Sequence, residues 1–348
     1  MPREILILGA SYGSLLSTKL LMAGHNVTLV CLPAEAELIN AEGTFLRLTL
    51  RGEDSPRIIA SADQPGVLSA CTPQQADPAA YDLIAMAMQE PQYGAPEVAD
   101  LLRRIAASEK PCMSIMNMPP LPYLRRFKGL DSQALESCYA EPRVWDGFNP
   151  DLFTLCSPDP QAFRPPDQKL NFLHVGLPTN FKAAAFARAA DTDLLHELAA
   201  DIAAVRLEGK DVPVKLRVHA SLFIPLAKWS MLLTGNYRAI TATGPRSIHD
   251  AVHGDPDLSA RIYEWVNTLV RELGADPADQ VPFEKYANAA LGLLNPSSAA
   301  RAVHAGAKNI ERVDKLVQLI ARQRGMSMPE VDANIAIVDA KLAANRAA

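Results

Sequence analysis

The first thirty residues constrain this chain more tightly than any other stretch. Glu4-Ile5-Leu6-Ile7-Leu8 reads as a short buried strand, and Gly9-Ala10-Ser11-Tyr12-Gly13-Ser14 as a small-residue turn opening a helix. Asn26-Val27-Thr28-Leu29-Val30 reads as a second strand. A βαβ unit of this shape points the N-terminus of its first helix at a ligand. The N–H groups and the positive dipole end found there suit the pyrophosphate of a dinucleotide. The full glycine pattern of such a turn is G-x-G-x-x-G, whereas this chain keeps Gly9 and places Ser11 and Ser14 at the second and third positions. Ser11 is small enough for close approach of a phosphate, and Ser14 still lets the helix pack on the strand. Gly9, Ser11, Tyr12, Gly13 and Ser14 are the candidate cofactor-binding residues, against the alternative of a plain strand-to-helix turn. A bulky residue at Gly9 is expected to abolish dinucleotide binding and to leave the fold largely intact.

The bulk properties narrow the class. A chain of 348 residues holds one large or two ordinary domains, and 49% hydrophobic residues suffice for a substantial core. Its net charge of −5 marks neither a nucleic-acid nor an anionic-membrane partner. Cys31, Cys71, Cys112, Cys138 and Cys156 are odd in number and contain no C-x-x-C pair, so reduced structural thiols are expected and no metal site. No apolar run reaches transmembrane length, and the first strand is too short for a signal peptide. These features together predict a cytoplasmic enzyme.

Strand and helix signals alternate through the first half. Ala34–Ala41 reads as a helix, Thr44–Leu50 and Arg57–Ala60 as paired strands, and Asp82–Met88 as a buried strand ending at Gln89. Pro96–Ala107 reads as a helix and Pro111–Met116 as a strand ending at Asn117. Alternation of this kind implies a mostly parallel sheet with helices on both faces and ligands beyond the carboxyl ends of its strands. Gln89 and Asn117 then fall on the ligand rim. From 125 to 183 prolines break the pattern, and antiparallel additions to the sheet are expected near Leu152–Cys156 and Lys169–Val175. A helix over Thr192–Val205 leads to a break at 208–213. Beyond it Leu216–Thr234, Leu258–Leu273, Ser298–Arg324 and Pro329–Asn345 all carry helical spacing. The expected architecture is α/β, with residues 1–211 a doubly wound dinucleotide-binding domain and 212–348 an all-helical substrate and dimerisation domain. Leu316, Leu319 and Ile320 are candidates to reach a partner subunit in a homodimer.

Within the helical half, Ile224–Asn236 is nearly all apolar and predicts an interior helix. Lys228 and Asn236, eight residues apart, lie about 80° from each other on an α-helix. A lysine on such a helix either snorkels to water or serves a purpose. Facing a carbonyl compound, its ammonium could deliver the proton when a hydride adds to carbon.

The order and spacing of five segments resemble the ketopantoate reductase (2-dehydropantoate 2-reductase) family. These are the N-terminal strand–turn–helix with Gly24–Val30, Ala87-Met88-Gln89, Ile115-Met116-Asn117, Lys228 through Asn236, and Asn295-Pro296-Ser297-Ser298 leading to Glu311-Arg312-Val313-Asp314. The resemblance implies a Rossmann-type domain with a helical domain behind it, and reduction of a 2-oxo acid with NADP, NAD being left open. It implies Lys228 as the catalytic lysine and Glu311 as the group that orients it. Asn117, Asn236 and either Ser297 or Ser298 would hold the substrate. The bland alternatives are a turn at Asn117, a helix cap at Ser297 or Ser298, and a solvated charged stripe around Glu311.

This chain departs from the family at several points. Met86 stands where a lysine is usual, Leu232 where a second asparagine is usual, and Met118 where a glycine follows Asn117. Cys31-Leu32-Pro33 ends the second strand with neither the basic residues that receive a 2′-phosphate nor a carboxylate for the ribose. Two other functions stay open. An opine-type dehydrogenase, which reduces an imine, would use a histidine–aspartate pair in the helical half drawn from His219, His249, His253, Asp250 and Asp255. A non-catalytic dinucleotide-binding sensor would explain the lost polar residues.

Overall fold

The computed structural model describes residues 1–348. The chain forms two compact units: Met1–Met88, Gln92–Tyr123 and Arg143–Ala220 make the first, and Gln89–Pro91, Leu124–Pro142 and Ser221–Ala348 the second.

The first unit is built on an eight-stranded sheet of β1 (Glu4–Leu8), β2 (Asn26–Val30), β5 (Leu68–Cys71), β6 (Leu83–Met86), β7 (Cys112–Ile115), β8 (Phe153–Ser157), β11 (Phe181–Ala184) and β14 (Leu216–His219). Its order is β14-β11-β8-β7-β6-β1-β2-β5. The six strands from β5 to β8 are parallel and run third, second, first, fourth, fifth, sixth, which is the doubly wound order. The order reverses between β1 and β6, so the ligand crevice of such a sheet opens beyond Leu8 and Met86. Helices α1 (Ala10–Met22), α2 (Pro33–Glu42), α3 (Pro96–Ser108) and α5 (Ala189–Ala204) accompany these strands, with a single turn α4 at Leu121–Leu124.

Continuous apolar strands are what a sheet covered on both faces requires. Ile5 and Ile7 of β1 pack with Leu15, Leu20, Val27 and Leu29 in one core. Leu6 and Leu8, on the opposite face, are equally buried. An aromatic cluster of Tyr93, Trp145, Phe148 and Phe153 fills another part of this unit.

The proline-rich middle does not simply extend one sheet. β3 (Phe45–Leu48) and β4 (Arg57–Ala60) pair antiparallel as expected, but they join β9 (Gln161–Phe163) and β10 (Phe172–Leu177) in a separate four-stranded sheet, order β4-β3-β10-β9. Arg206–Leu207 (β12) and Lys210–Asp211 (β13) form a two-stranded ribbon at the expected break. Leu216–His219 is strand β14, parallel to β11, and not the start of a helix. Its Leu216 is buried and Val218 packs on the same core, a period of two in a run too short to be distinguished from helical spacing. β5 gave no sequence signal; Leu-Ser-Ala-Cys is a four-residue edge strand.

The second unit is helical: α6 (Lys228–Met231), α7 (Ile248–His253), α8 (Pro256–Glu272), α9 (Phe283–Ala290), α10 (Ser298–His304), α11 (Val313–Gln323) and α12 (Pro329–Ala347). The single helix expected over Ser298–Arg324 is two, because the chain leaves α10 at Ala305 and passes through Gly306 at φ 92°. Leu316 and Ile320 are fully buried within this unit and Leu319 is half-buried. The first two therefore face their own chain rather than a partner. No helix is long and apolar enough to cross a membrane.

Candidate functional site

The N-terminal turn is built as the βαβ argument requires. Gly9 ends β1 at φ 97°, ψ 99° and precedes α1 without any side-chain cap. The first-turn N–H groups of Ala10, Ser11 and Tyr12 are thus left at the helix end, beside the switch between β1 and β6. Ser11 is exposed there, whereas Ser14 is buried with its hydroxyl donating back to the carbonyl of Ala10. Tyr12 turns its hydroxyl to the carbonyl of Pro160 at 2.7 Å and its ring edge to Phe181. Burial raises its pKa, so it stays a neutral phenol. Gly13 is a packing glycine: a Cβ there would lie 2.7 Å from Ile7 Cγ2. Of the five turn residues, Ser11 alone shows an exposed side chain. Among the other rim residues, Gln89 is exposed three residues beyond β6, and Asn117 is half-buried two residues beyond β7.

The end of β2 holds two charged residues that reading along the chain does not reveal. Glu35, in the first turn of α2, is buried and ion-paired with Arg164, which follows β9 in sequence by one residue. Arg164 also lies near enough to the Cys31 thiol to act on its ionisation. A guanidinium therefore stands by the end of the second strand after all, brought there from 129 residues away. Only the tertiary fold, which brings the end of β9 to the first turn of α2, puts it there. Burial first, and Glu35 next, push the Cys31 thiol up to about 12, and burial does the same to Cys138, so neither is a nucleophile near neutrality.

In the helical unit, Lys228 opens α6 half-buried, but the eight residues to Asn236 are not a continuous α-helix. Leu232–Asn236 is π-helical, with the N–H of Tyr237 donating to the carbonyl of Leu232 at 2.9 Å. The separation of about 80° that an unbroken α-helix gives Lys228 and Asn236 is therefore lost. The cause is a tertiary contact: the hydroxyl of Tyr286 donates to the carbonyl of Met231 at 3.1 Å, and Gly235 leaves room for it.

Two other elements meet this π-turn and the residue after it. Ser297 caps α10 by accepting from the N–H of Ala300 at 3.0 Å and donates to the carbonyl of Asn236 at 2.7 Å. Both roles of its hydroxyl are thereby used, while Ser298 beside it is exposed. Tyr237 donates its hydroxyl to the carbonyl of Glu311 and receives the N–H of Val313 at 3.0 Å. Glu311 consequently lies in the loop before α11 and is half-buried, not part of a solvated helical stripe. Its Oε1 accepts from the N–H of Glu90 at 3.4 Å. Glu90 itself is 2% exposed and accepts from the N–H of Ala140 at 2.9 Å. Burial chiefly, with Glu311 adding repulsion against the opposing Ala140 hydrogen bond, pushes the Glu90 carboxyl up to about 7.

The histidines distribute differently from the opine-type expectation. His219 sits on β14 of the sheet unit, outside the helical half. His253 bonds to the carbonyl of Ala287 at 3.0 Å, and His249 lies 3.0 Å from its exposed neighbour Asp250. Met86, Met118 and Leu232 are all buried in the core.

A ketopantoate reductase from Ralstonia eutropha superposes with a TM-score of 0.63 at 15% identity, over 99% of each chain. The chain has the ketopantoate reductase fold. A 2-dehydropantoate 2-reductase from Methylococcus capsulatus gives 0.63 at 13% identity, covering 98% of this chain and 97% of that one. A dimeric ketopantoate reductase from Staphylococcus aureus gives 0.61 at 10% identity, over 98% and 99%. At these identities the likeness is one of fold. No family model matches the chain, and no curated protein matches it in sequence.

Proposed function

We propose that the protein is an NADP-dependent oxidoreductase reducing a 2-oxo acid or a related small carbonyl compound. The observation that carries this reading is the hydrogen bonding of Ser297 to the Asn236 carbonyl and of Tyr237 to the Glu311 carbonyl, which gathers two other elements around the π-turn that follows the helix opened by Lys228. The uncapped first turn of α1 at the β1–β6 switch fits the pyrophosphate of a dinucleotide, with Ser11 as the exposed hydroxyl. Arg164 by the end of β2 supports the 2′-phosphorylated cofactor, and its partner Glu35 is the carboxylate that competes for it.

When bound, the cofactor supplies a hydride to the carbonyl carbon. Lys228 faces the negative charge that grows on the carbonyl oxygen and gives that oxygen its proton, completing the alcohol. Glu311 orients Lys228. The amides of Asn117 and Asn236 donate hydrogen bonds that fix the substrate. Ser297 spends its hydroxyl on holding Asn236, which leaves Ser298 to meet the substrate carboxylate. The protein acts as a homodimer in the cytoplasm; with Leu316 and Ile320 buried, the exposed leucines of the helical unit are Leu291 and Leu294.

The test begins with fluorescence titration of NADPH and NADH, followed by a screen of 2-oxo acids with and without amines. Lys228→Ala is expected to lower kcat by roughly 10²–10⁴-fold with little change in NADPH affinity. Arg164→Gln is expected to weaken NADPH binding by about tenfold or more and to spare NADH, since charge-assisted hydrogen bonds are lost. Wild-type turnover in Lys228→Ala would remove the lysine from the chemistry. NADPH binding without turnover on any carbonyl compound would favour the sensor reading, to which the buried Met86, Met118 and Leu232 lend weight.

A further inference from the structure

The helical unit holds an open cavity of about 460 Å³ that shares no lining residue with Lys228, Asn236, Ser297, Ser298 or Glu311. Leu258, Ile262 and Ile337 give it apolar walls, and two arginines, Arg238 and Arg246, line it as well. Arg238 is 7% exposed, which is rare for a charge without a carboxylate partner. Its Nη1 donates to Ser259 Oγ at 2.7 Å and to the carbonyl of Thr234 at 3.3 Å, both neutral acceptors. The Nε of Arg246 donates to the carbonyl of Arg238 at 2.8 Å, so each guanidinium is fixed by neutral groups alone.

The carboxylates around the cavity are engaged elsewhere. Asp255 accepts from the N–H of Leu258 at 3.0 Å and caps α8. Glu330 lies 3.7 Å from Arg261. A small separate pocket, which shares Arg238, Ile262 and Glu330 with this cavity, is lined by Asp314, whose two oxygens are taken by Nε and Nη2 of Arg312 at 2.9 and 3.0 Å. Burial and the repulsion of Arg246 act against the charge on Arg238, with Asp255 of the cavity wall partly offsetting them, and a guanidinium does not give up its proton near neutrality. Two guanidiniums converge on an apolar-walled space, with most of their donors unspent.

We propose that this cavity binds a small organic oxyanion carried on a short aliphatic body, with Arg238 and Arg246 taking the anionic head and Leu258, Ile262 and Ile337 the body. Such a ligand supplies the direct ion pair that Asp255 and Asp250, which act on these arginines only from a distance, do not make. Arg238 also clamps the carbonyl of Thr234, two residues before Asn236 on the π-turn. Occupancy is therefore felt at Asn236, a consequence that rests on the reductase reading, whereas the binding itself does not.

Calorimetric titration of the full-length protein with hexanoate tests the proposal, with hexanamide as the uncharged isostere and acetate and inorganic phosphate as heads without a body. Hexanoate is expected to bind saturably and hexanamide not. Arg246→Gln is the informative variant, because Arg246 makes a single hydrogen bond and its loss leaves the π-turn clamp in place. It should weaken hexanoate by about tenfold or more, the loss of a charge-assisted contact. Equal binding of hexanoate and hexanamide, unchanged affinity in Arg246→Gln, or no binding of hexanoate at millimolar concentration would each overturn it. NADPH titration of the same samples reports separately on the reductase reading, since no residue of this cavity belongs to the sheet unit.

Discussion

Gly9 shows how one residue serves both a fold and a site. A Cβ placed there would lie 2.6 Å from Met88 Cγ and 2.9 Å from the carbonyl oxygen of Ala87, in a backbone held at φ 97°. The expectation that a bulky Gly9 variant spares the fold is therefore withdrawn, since the turn abuts the end of β6 whether or not a nucleotide is present. The separating experiment uses Ser11, whose side chain is exposed. Ser11→Glu is expected to leave stability within about 0.5 kcal/mol, as exposed substitutions do, and to weaken NADPH binding more than tenfold by setting a carboxylate against the pyrophosphate. Gly9→Ala should lower the melting temperature with or without NADPH. Thermal melts beside fluorescence titration read both, and an unaltered NADPH affinity in Ser11→Glu would take the dinucleotide off this helix. At this scale the sequence exposes residue type and neighbours along the chain, which sufficed for the strand-to-helix turn at Gly9. Arg164 was invisible because its significance lies in Glu35, and the two approach only when β9 joins the second sheet.

At the scale of elements, the π-turn at Leu232–Asn236 is the segment on which the helical site depends. A Cβ on Gly235 would come 2.1 Å from the Tyr286 hydroxyl and 2.9 Å from Ile248 Cγ2. Gly235→Ala is expected to cost about 1–3 kcal/mol through overpacking. The worse of the two contacts is with a hydroxyl, so Gly235→Ala with Tyr286→Phe should be less destabilised than the sum of the two single variants, a coupling readable in a denaturant double-mutant cycle. Strict additivity would show that Tyr286 does not shape the turn. Helical spacing in Ile224–Asn236 was legible, but the added residue in the turn was not. It arises from a tyrosine fifty-five residues away competing for the carbonyl of Met231. Long amphipathic elements such as α8 and α12 were legible for the opposite reason, since many apolar residues vote for one period.

Two buried ionisable groups set opposing pH trends in the stability of the whole molecule. Glu90, in the helical unit, has its carboxyl raised from 4.5 to about 7 by burial. Between those values the folded state keeps a proton that the unfolded state releases, so stability falls as pH rises through the window, and the penalty is complete above it. Lys19 of α1, fully buried against the carbonyls of Val212 and Pro213, has its ammonium lowered by burial from 10.5 to about 7. Here the penalty is complete below pH 7 and is relieved as pH rises towards 10.5. The two groups together predict a local minimum of stability near neutrality. Glu90→Gln should remove the fall on the acid side and Lys19→Met the rise on the alkaline side, each a slope of about 1.4 kcal/mol per pH unit at most. Denaturant titrations across the range check both, and a slope that survives its own variant would reassign it.

The alternation of buried strands and amphipathic helices, the small-residue turn after β1 and the helical second half were settled by the sequence alone. Periodicity and turn chemistry act between residues close along the chain, so they are written where they act. The tertiary structure alone decided the split into two sheets, the strand at Leu216–His219, the π-turn, the Glu35–Arg164 pair and the unpaired guanidiniums of Arg238 and Arg246. Each of these depends on which distant groups share a low-dielectric space, and the cost of leaving a carbonyl, a carboxylate or a guanidinium there without a partner is fixed only once the chain has closed around it.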